Sequence, residues 1–284
     1  MTSLISSLSF PTTPIVLTIA GSDSGGGAGI QADIKTISAT GGYACSVITA
    51  LTAQNTQGVT GIYSISSEFV EQQLDAVFCD LDVIAVKIGM LSDETIIASV
   101  AKKLRQYAPK YIVLDPVMVA TSGDMLLKST AMETLKTTLF PLADVITPNL
   151  LEAAALIGSD VPLTSEDMLA MVDKLRALGS KSVLLKGGHL ENDRSSTDLL
   201  ILPESIKPFS EPRIDTTNTH GTGCTLSSAI ASYLAQGHEL GPSVSLAKNY
   251  ITKAILHANE LNIGKGHGPV NHFFKENSSE LILE

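Results

Sequence analysis

The sequence contains no tryptophan, only three cysteines and few aromatic residues. Phe, Trp and Tyr together make up 5% of its 284 residues, which argues against a surface that stacks bases or sugars. Cys45, Cys79 and Cys224 are far apart and lack C-x-x-C spacing, so we expect neither a disulfide framework nor a zinc site. Such thiols are typical of a reducing compartment, and we predict a cytoplasmic protein.

Long apolar runs and clusters of positive charge are also missing. No segment reaches the roughly 18 uninterrupted apolar residues of a membrane helix, and residues 1–14 contain no Lys or Arg, unlike a signal peptide. With 19 Lys and Arg against 29 Asp and Glu, the formal net charge is −10, which disfavours binding to nucleic-acid phosphates. We therefore expect no membrane and no nucleic-acid partner, whereas a small phosphorylated ligand is compatible with this charge.

Short apolar runs rich in β-branched residues alternate with longer segments of helical periodicity. This alternation predicts an α/β protein, a three-layer α/β/α sandwich with a mostly parallel central sheet. The predicted strands are Ile15–Ala20, Ser46–Ala50, Val83–Ile88, Tyr111–Leu114, Val145–Ile146, Ser182–Leu185 and Leu199–Leu202. The predicted helices are Glu68–Phe78, Thr95–Tyr107, Thr130–Leu139, Ser165–Leu178, Leu226–Ala235 and Ser243–Leu261. We expect one domain over residues 15–284 after a flexible N-terminal extension of residues 1–14, and a turn or mobile flap at Glu191–Ser196.

A glycine-rich segment, Gly21–Gly29, follows the first predicted strand and leads into a helix. It matches neither the G-x-G-x-x-G pattern of dinucleotide-binding folds nor a Walker A loop. Such a turn is either only a tight connection or a place where a ligand approaches the backbone closely. The carboxylate of Asp23 favours the ligand-binding interpretation.

A second segment of small residues, Gly221-Thr222-Gly223-Cys224, leads into the predicted helix Leu226–Ala235. Unpaired backbone N–H groups at a helix start, together with the helix dipole, bind anions such as phosphate. We therefore interpret residues 221–223 as an anion hole. The same field is expected to favour the thiolate of Cys224, making it a candidate base toward a substrate hydroxyl, unless the thiol only packs as a small hydrophobe. We assign no catalytic role to His220.

Polar residues also follow other predicted strands: Asp115, the pair Asn149 and Glu152, and Lys186. The carboxyl ends of parallel strands meet at one edge of a sheet, where ligands bind, so we expect these residues in one crevice. Asn149 and Glu152 share one face of a helix turn and are candidates to hold Mg²⁺, or alternatively to cap the helix. Lys186 is a candidate to neutralise nucleotide phosphates, or alternatively a solvated lysine beside a turn.

These motifs belong to a longer set of segments, between about residues 15 and 273, that match one known family of proteins. The set comprises Ala20–Lys35, Thr52–Thr56, Lys87–Leu91, Asp115–Met118, Thr147–Glu152, Leu185–His189, Asp215–Thr225 and Gly264–His272. Together they resemble the hydroxymethylpyrimidine and phosphomethylpyrimidine kinases of thiamine biosynthesis. The anion hole is common to the whole ribokinase-like superfamily. The closing Cys224 and the opening segment Gly21–Gly29 are characteristic of a much smaller group within it.

The resemblance implies a ribokinase-like fold and two successive phosphorylations with ATP and Mg²⁺. The alcohol 4-amino-5-hydroxymethyl-2-methylpyrimidine would react first, and its monophosphate would then be converted to the pyrophosphate. The residues implied at the substrate are Gln54, against the aminopyrimidine ring, with Gly21, Met90 and Val117 around it, and we add Asp23 to this group. The residues implied at the nucleotide are Asp115 and Glu152 for Mg²⁺, and Lys186, Asn149 and Thr222 for ATP. Catalysis is assigned to Cys224 with the anion-hole residues Gly221, Thr222 and Gly223, while Asp33 is expected to organise the opening loop.

Other functions stay open at this stage. A pyridoxal or pyridoxine kinase would share the fold and a flat heteroaromatic alcohol as substrate. A catalytically silent pyrimidine-binding sensor built on a kinase fold is the alternative from another class, although intact Asp115, Glu152, Lys186 and Cys224 count against it. Few residues follow the last matching segment, so a second fused activity is not expected. Because strand edges of this fold pair between subunits, we expect a homodimer.

Overall fold

The structure, a computed structural model, describes residues 12–118, 129–188, 190 and 195–275 of the chain. Its strands are β1 (Ile15–Asp23), β2 (Tyr43–Asn55), β3 (Gly58–Ser64), β4 (Val83–Ile88), β5 (Tyr111–Leu114), β6 (Val145–Ile146), β7 (Val183–Leu185), β8 (Ser195–Ile201) and β9 (Ile206–Pro212). Its helices are α1 (Gly29–Ala39), α2 (Ser67–Phe78), α3 (Glu94–Tyr107), α4 (Ser129–Thr138), α5 (Leu150–Ile157), α6 (Ser165–Ala170), α7 (Val172–Arg176), α8 (Thr222–Ala235) and α9 (Leu240–Leu256). Two 3₁₀ turns are found at Phe140–Leu142 and Ala258–Glu260.

The strands form one nine-stranded sheet in the order β3-β2-β1-β4-β5-β6-β7-β8-β9. The strands from β2 to β7 in this order pair in parallel, while β3 at one edge and β8 and β9 at the other pair antiparallel. The carboxyl ends of the parallel strands therefore lie along a single edge of the sheet. The predicted mostly parallel sheet is confirmed.

Two apolar cores flank the sheet, because successive side chains of each buried strand point to opposite faces. In β1, Val16 faces one core, while Leu17 and Ile19 face the other. Helices α2 to α7 cover the face of Leu17, and α1, α8 and α9 cover the face of Val16. The predicted three-layer α/β/α sandwich is confirmed.

The sequence pattern does not predict all the strands at the edges of the sheet. It does not predict β3 or β9, whose side chains are mostly exposed, because an edge strand needs no continuous apolar run. The predicted helix Ser165–Leu178 is two helices that meet at Met171. Residues 1–11 of the predicted extension and residues 191–194 of the predicted flap lie outside the described residues. No helix in the described ranges combines the length and the apolarity needed to span a bilayer.

Candidate active site

The carboxyl ends of the parallel strands open into a cavity of about 860 Å³. The residues predicted to bind or to react all line it: Gly21, Asp23, Gln54, Met90, Asp115, Val117, Asn149, Glu152, Lys186, Gly221, Thr222, Gly223 and Cys224. The structure thus places these residues around one cavity, as was expected for Asp115, Asn149, Glu152 and Lys186, and the role of each residue stays a prediction.

Asp23, the last residue of β1, organises the glycine-rich loop around its own carboxylate. Its Oδ1 accepts a hydrogen bond from the N–H of Gly25 (2.8 Å), and its Oδ2 accepts from the N–H groups of Gly27 (3.0 Å) and Ala28 (2.8 Å). Burial raises the pKa of Asp23, but the hydrogen bonds from His220 and the loop backbone outweigh burial and hold this pKa below its usual value. The carboxylate is therefore ionised and already satisfied by the protein.

The opening loop and the anion-hole loop contact each other directly. His220 Nε2 lies 2.8 Å from Asp23 Oδ2, although 197 residues separate the two in the chain. Gly221 has a φ of +83°, and a Cβ at this position would collide with the carbonyl oxygen of Gly27, so glycine is required here. The sequence carries no local signal for the role of His220, because its partner comes from a distant segment.

The anion-hole loop ends in the start of α8, with Gly221 as its N-cap. No side chain caps this helix start, and Thr222 Oγ1 instead donates to the carbonyl of Thr219 (2.7 Å). The backbone N–H groups of Gly223 and Cys224 have no acceptor among the residues that the structure describes. A helix start with unpaired N–H groups that face a cavity can hold a phosphoryl group.

Cys224, the third residue of α8, is partly exposed to the cavity. Burial raises the pKa of its thiol to about 11, and although the Lys87 ammonium opposes this increase, it does not cancel it. The expectation that the helix start favours the thiolate is therefore wrong, because loss of solvation outweighs the groups around the thiol that lower its pKa.

Asp115, Glu152 and Lys186 form what we call the strand-end cluster. Lys186 Nζ lies 2.8 Å from Asp115 Oδ1 and 3.9 Å from Glu152 Oε2. A Cβ built on Gly223 would be 3.3 Å from both Asp115 Oδ2 and Lys186 Nζ, so this cluster adjoins the anion hole. The fold thus brings the predicted phosphate-binding and metal-binding groups next to each other.

Glu152 also belongs to a capping box with Asn149 at the start of α5. Asn149 Oδ1 accepts from the N–H of Glu152 (2.9 Å), and Glu152 Oε2 accepts from the N–H of Asn149 (2.7 Å). The alternative that this pair caps a helix is confirmed. Burial, helped by the charge of Asp115, raises the pKa of Glu152 to about 7 against the opposing charge of Lys186.

The strand-end cluster fits Mg²⁺ by its chemistry. Within the described ranges, no group of three or more His, Cys, Asp or Glu side chains could hold a metal ion by itself. Mg²⁺ does not need such a cage, since it is usually bound by one or two carboxylates, by water and by substrate phosphates. Glu152, with its raised pKa next to Asp115, is a carboxyl group whose ionised form a cation would stabilise.

Among the predicted substrate-binding residues, Gly21 and Asp23 lie on β1 and Gln54 lies on β2, whereas the strand-end cluster follows β5, β6 and β7 further along the sheet. A Cβ on Gly21 would be 2.6 Å from Met90 Cε, so these two residues form one closely packed wall. Gln54 Oε1 accepts a hydrogen bond from Thr52 Oγ1 (3.1 Å), and Gln54 Nε2 lies 3.5 Å from His220 Nε2. The side-chain amide is thereby held at the rim of a largely apolar wall.

The cavity extends to a third wall, formed by β8, β9 and α9, that the sequence motifs do not predict. Lys248 Nζ lies 2.7 Å from Asp198 Oδ2 and donates to Ser196 Oγ (3.1 Å). These residues belong to no recognisable motif, and β9 itself is not predicted, so no signal in the chain points to them. Asp33, which was expected to organise the opening loop, instead pairs with buried Lys87.

Comparisons of the chain with a family model, with known sequences and with solved structures all match it to kinases. The family model described as phosphomethylpyrimidine kinase matches residues 23–271. The hydroxymethylpyrimidine/phosphomethylpyrimidine kinase of Salmonella typhimurium is 51% identical over 257 residues, which cover 90% of this chain and 96% of that protein. A crystal structure of phosphomethylpyrimidine kinase from Clostridium difficile 630 is 47% identical, with a TM-score of 0.75 over 85% of this chain and 99% of the other. The ADP complex of Bacillus subtilis pyridoxal kinase is 35% identical, with a TM-score of 0.86 over 94% of this chain and 100% of the other.

Proposed function

Because the chain belongs to the phosphomethylpyrimidine kinase family, we propose that it phosphorylates 4-amino-5-hydroxymethyl-2-methylpyrimidine and then its monophosphate to the pyrophosphate. Family membership makes it a kinase of thiamine biosynthesis and implies the use of ATP. The observation that carries the proposal is the meeting of Cys224, the anion hole and the strand-end cluster in one cavity. Phosphoryl transfer needs these parts: donors around the phosphoryl oxygens, compensation of their charge, and an oriented nucleophile.

At the nucleotide, Asp115 and Glu152 would hold Mg²⁺, and Lys186, Asn149 and Thr222 would contact ATP. Mg²⁺, when bound, neutralises phosphate charge. Lys186 contributes a second positive charge near the phosphate oxygens of ATP. The N–H groups of Gly223 and Cys224 donate hydrogen bonds to the phosphoryl group during its transfer. The clustering of Lys186, Asp115 and Gly223 within contact distance supports this assignment.

At the substrate, Gln54 would pair with the aminopyrimidine through its amide, which can donate to a ring nitrogen and accept from the exocyclic amine. Gly21, Met90 and Val117 would form the wall against which the ring packs. Asp23 would act mainly through the loop backbone, because its carboxylate oxygens already accept hydrogen bonds from Gly25, Gly27 and Ala28.

The two steps use different nucleophiles. The alcohol has to lose its proton during the first step, and Cys224 is the candidate acceptor, in its thiolate form. The monophosphate oxygen of the second step is already charged and needs positioning more than deprotonation. Since the pKa of the thiol is about 11, the thiolate is the minor form at neutral pH, and any group that lowers this pKa assists the first step.

An ATP-consumption assay run in parallel with hydroxymethylpyrimidine, its monophosphate and pyridoxal tests the proposal. We expect turnover with both pyrimidines and a lower kcat/KM with pyridoxal. The similarity to a pyridoxal kinase supports pyridoxal phosphorylation as the second candidate function, which would be favoured if pyridoxal had the highest kcat/KM. Binding of the pyrimidine without ATP consumption would instead indicate a sensor.

We also propose that residues 15–284 form one domain of a cytoplasmic protein. We further propose that this protein is a homodimer, which forms through the β2–β3 edge of the sheet. Leu51 and Tyr63 face each other across these strands with 44% and 71% of their surface exposed, and Ile62 nearby is 46% exposed. Exposed apolar side chains along a sheet edge are typical of an interface. We expect Tyr63→Lys to shift the mass measured by light scattering from dimer to monomer.

A further inference from the structure

A lysine of the central sheet is buried completely. Lys87, on β4, and its partner Asp33, on α1, have no exposed side-chain surface, and Lys87 Nζ lies 2.9 and 2.8 Å from the two carboxylate oxygens of Asp33. A buried ion pair adds little stability compared with apolar residues of the same size, because both charges lose their hydration. Its presence therefore calls for a reason other than stability.

The location of the pair connects it with Cys224. Asp33 Oδ1 accepts a hydrogen bond from Ser228 Oγ (2.6 Å), and Ser228 lies one helical turn after Cys224 on the same face of α8. Lys87 itself lines the cavity together with Cys224. A Cβ on Gly89 would be 2.8 Å from Lys87 Nζ, so the absence of a side chain there leaves room for the ammonium group.

Charged groups face Cys224 from several elements. Lys87 comes from β4 and Asp33 from α1, while Asp115 and Lys186 come from the ends of β5 and β7. Among them, Lys87 has the largest effect on the pKa of the thiol, and it lowers this pKa, whereas Asp33 and Asp115 raise it. The backbone N–H of Gly29 also lowers the pKa of the thiol and so acts in the same direction as Lys87.

We infer that Lys87, held in place by Asp33, is a positioning residue for phosphorylation of the alcohol, because its fixed charge stabilises the thiolate of Cys224. The inference rests on the proposed function, in which Cys224 is the base. In that step the thiolate takes the hydroxymethyl proton and becomes a thiol, and the alcohol oxygen forms a bond to the γ-phosphorus of ATP. The bond from this phosphorus to the bridging oxygen breaks, and ADP leaves with the electron pair. Lys87 keeps its proton throughout.

The first measurement is the rate at which iodoacetamide alkylates Cys224, followed on the Cys224 peptide by mass spectrometry between pH 7 and pH 10. We expect Lys87→Met to raise the pKa of the thiol by at least about one unit and to slow alkylation at pH 8 by about tenfold or more. A merely structural role of Lys87 predicts the opposite, because a loosened site exposes the thiol and speeds its alkylation.

The double variant Lys87→Met/Asp33→Asn is a control for misfolding, because it leaves neither Lys87 nor Asp33 as an unpaired charge in the core. We expect it to slow alkylation too, but less than Lys87→Met, because loss of Asp33 partly compensates. Lys103→Met is the matched control: Lys103 is also buried and also paired with an aspartate, Asp75 (2.7 Å), but it lies on α3 and does not line the cavity. It should leave Cys224 alkylation unchanged.

The second measurement is the pH profile of kcat for each substrate. We expect Lys87→Met to shift the rising limb of the alcohol reaction to higher pH by the same amount as the alkylation profile, with little change for the monophosphate. Unchanged or faster alkylation in both Lys87 variants would overturn the inference about Lys87. Slower alkylation with equal losses in both reactions would instead overturn the role of Cys224 as base, and this inference with it.

Discussion

The two ends of the cavity satisfy their buried charges in different ways. At the opening-loop end, the carboxylate of Asp23 is surrounded by backbone N–H groups and by His220, and its pKa is lowered. In the strand-end cluster, Asp115 and Glu152 share the single amine of Lys186, and the pKa of Glu152 is raised to about 7. One end is complete without a ligand, whereas the other has surplus negative charge.

This difference follows from what each end has to bind. A flat, nearly neutral ring needs a wall of fixed shape, and hydrogen bonds within the protein hold that shape before the ring arrives. ATP brings Mg²⁺ and several negative charges, so a cluster that is unfavourable by itself becomes favourable when the cation binds. The comparison predicts that changes at the opening-loop end act through backbone shape, and changes in the strand-end cluster through charge.

The largest effect is expected where the two loops touch. Gly221→Ala would push a Cβ against the carbonyl of Gly27 at a φ of +83°, displacing the anion hole, and we expect kcat to fall by about 10³-fold. Gly237→Ala is the control, because Gly237 has a φ of +94° but no atom within 4 Å of a built Cβ. Similar kcat values for both variants would show that backbone shape at Gly221 does not control transfer.

The next effect separates the two reactions at Cys224, which lies between the two ends. Cys224→Ala should lower kcat for the alcohol by about 10²- to 10³-fold, because it removes the proton acceptor. The loss with the monophosphate should be less than about tenfold, since that nucleophile is already ionised. Single-turnover assays with each substrate measure both losses, and equal losses would refute the role of Cys224 as base.

A smaller effect is expected from charge removal in the strand-end cluster. Glu152→Gln should weaken Mg²⁺ activation by about tenfold to a hundredfold, which a titration of activity with Mg²⁺ would measure, while the KM for the pyrimidine changes little. Glu166→Gln, at an exposed position of α6, is the control. An unchanged requirement for Mg²⁺ would show that Glu152 does not hold the cation.

Glu152 should also give the free protein a distinctive pH dependence. Its pKa is about 7 in the folded protein and near 4.5 in the unfolded chain, so the folded state binds more protons between these values. The free energy of unfolding contributed by this group therefore falls as pH rises from about 4.5 to 7. Urea denaturation of the metal-free protein at pH 5 and pH 8 should show this decrease, and Glu152→Gln should make it smaller.

The smallest effect is expected at the pyrimidine itself. Gln54→Leu removes one paired polar contact, so the KM for hydroxymethylpyrimidine should rise by about tenfold while kcat changes little. Gln57→Leu, on the exposed turn after β2, is the control. A large loss of kcat in Gln54→Leu with an unchanged KM would mean that Gln54 orients the reacting alcohol and does not merely bind the ring.

Much of the fold and of the cavity lining could be predicted from local patterns. Strands such as β1 and β4 are buried on both faces and therefore carry apolar runs that can be read directly. The capping box of Asn149 and Glu152 is equally local, because its partners are three residues apart. The edge strands β3 and β9 could not be read, since their exposed side chains form no such run.

By itself, the sequence determined the order of the buried strands, because periodicity and spacing are properties of neighbouring residues. Through the resemblance of its motifs it also indicated the family and the residues expected at the site. Tertiary structure alone decided how these groups are charged. The contact of His220 with Asp23 and the pairing of Lys87 with Asp33 join distant segments, and burial raises the pKa of Cys224 where its position at a helix start predicts the reverse. Desolvation depends on everything packed around a group, so it becomes visible only once the chain has folded.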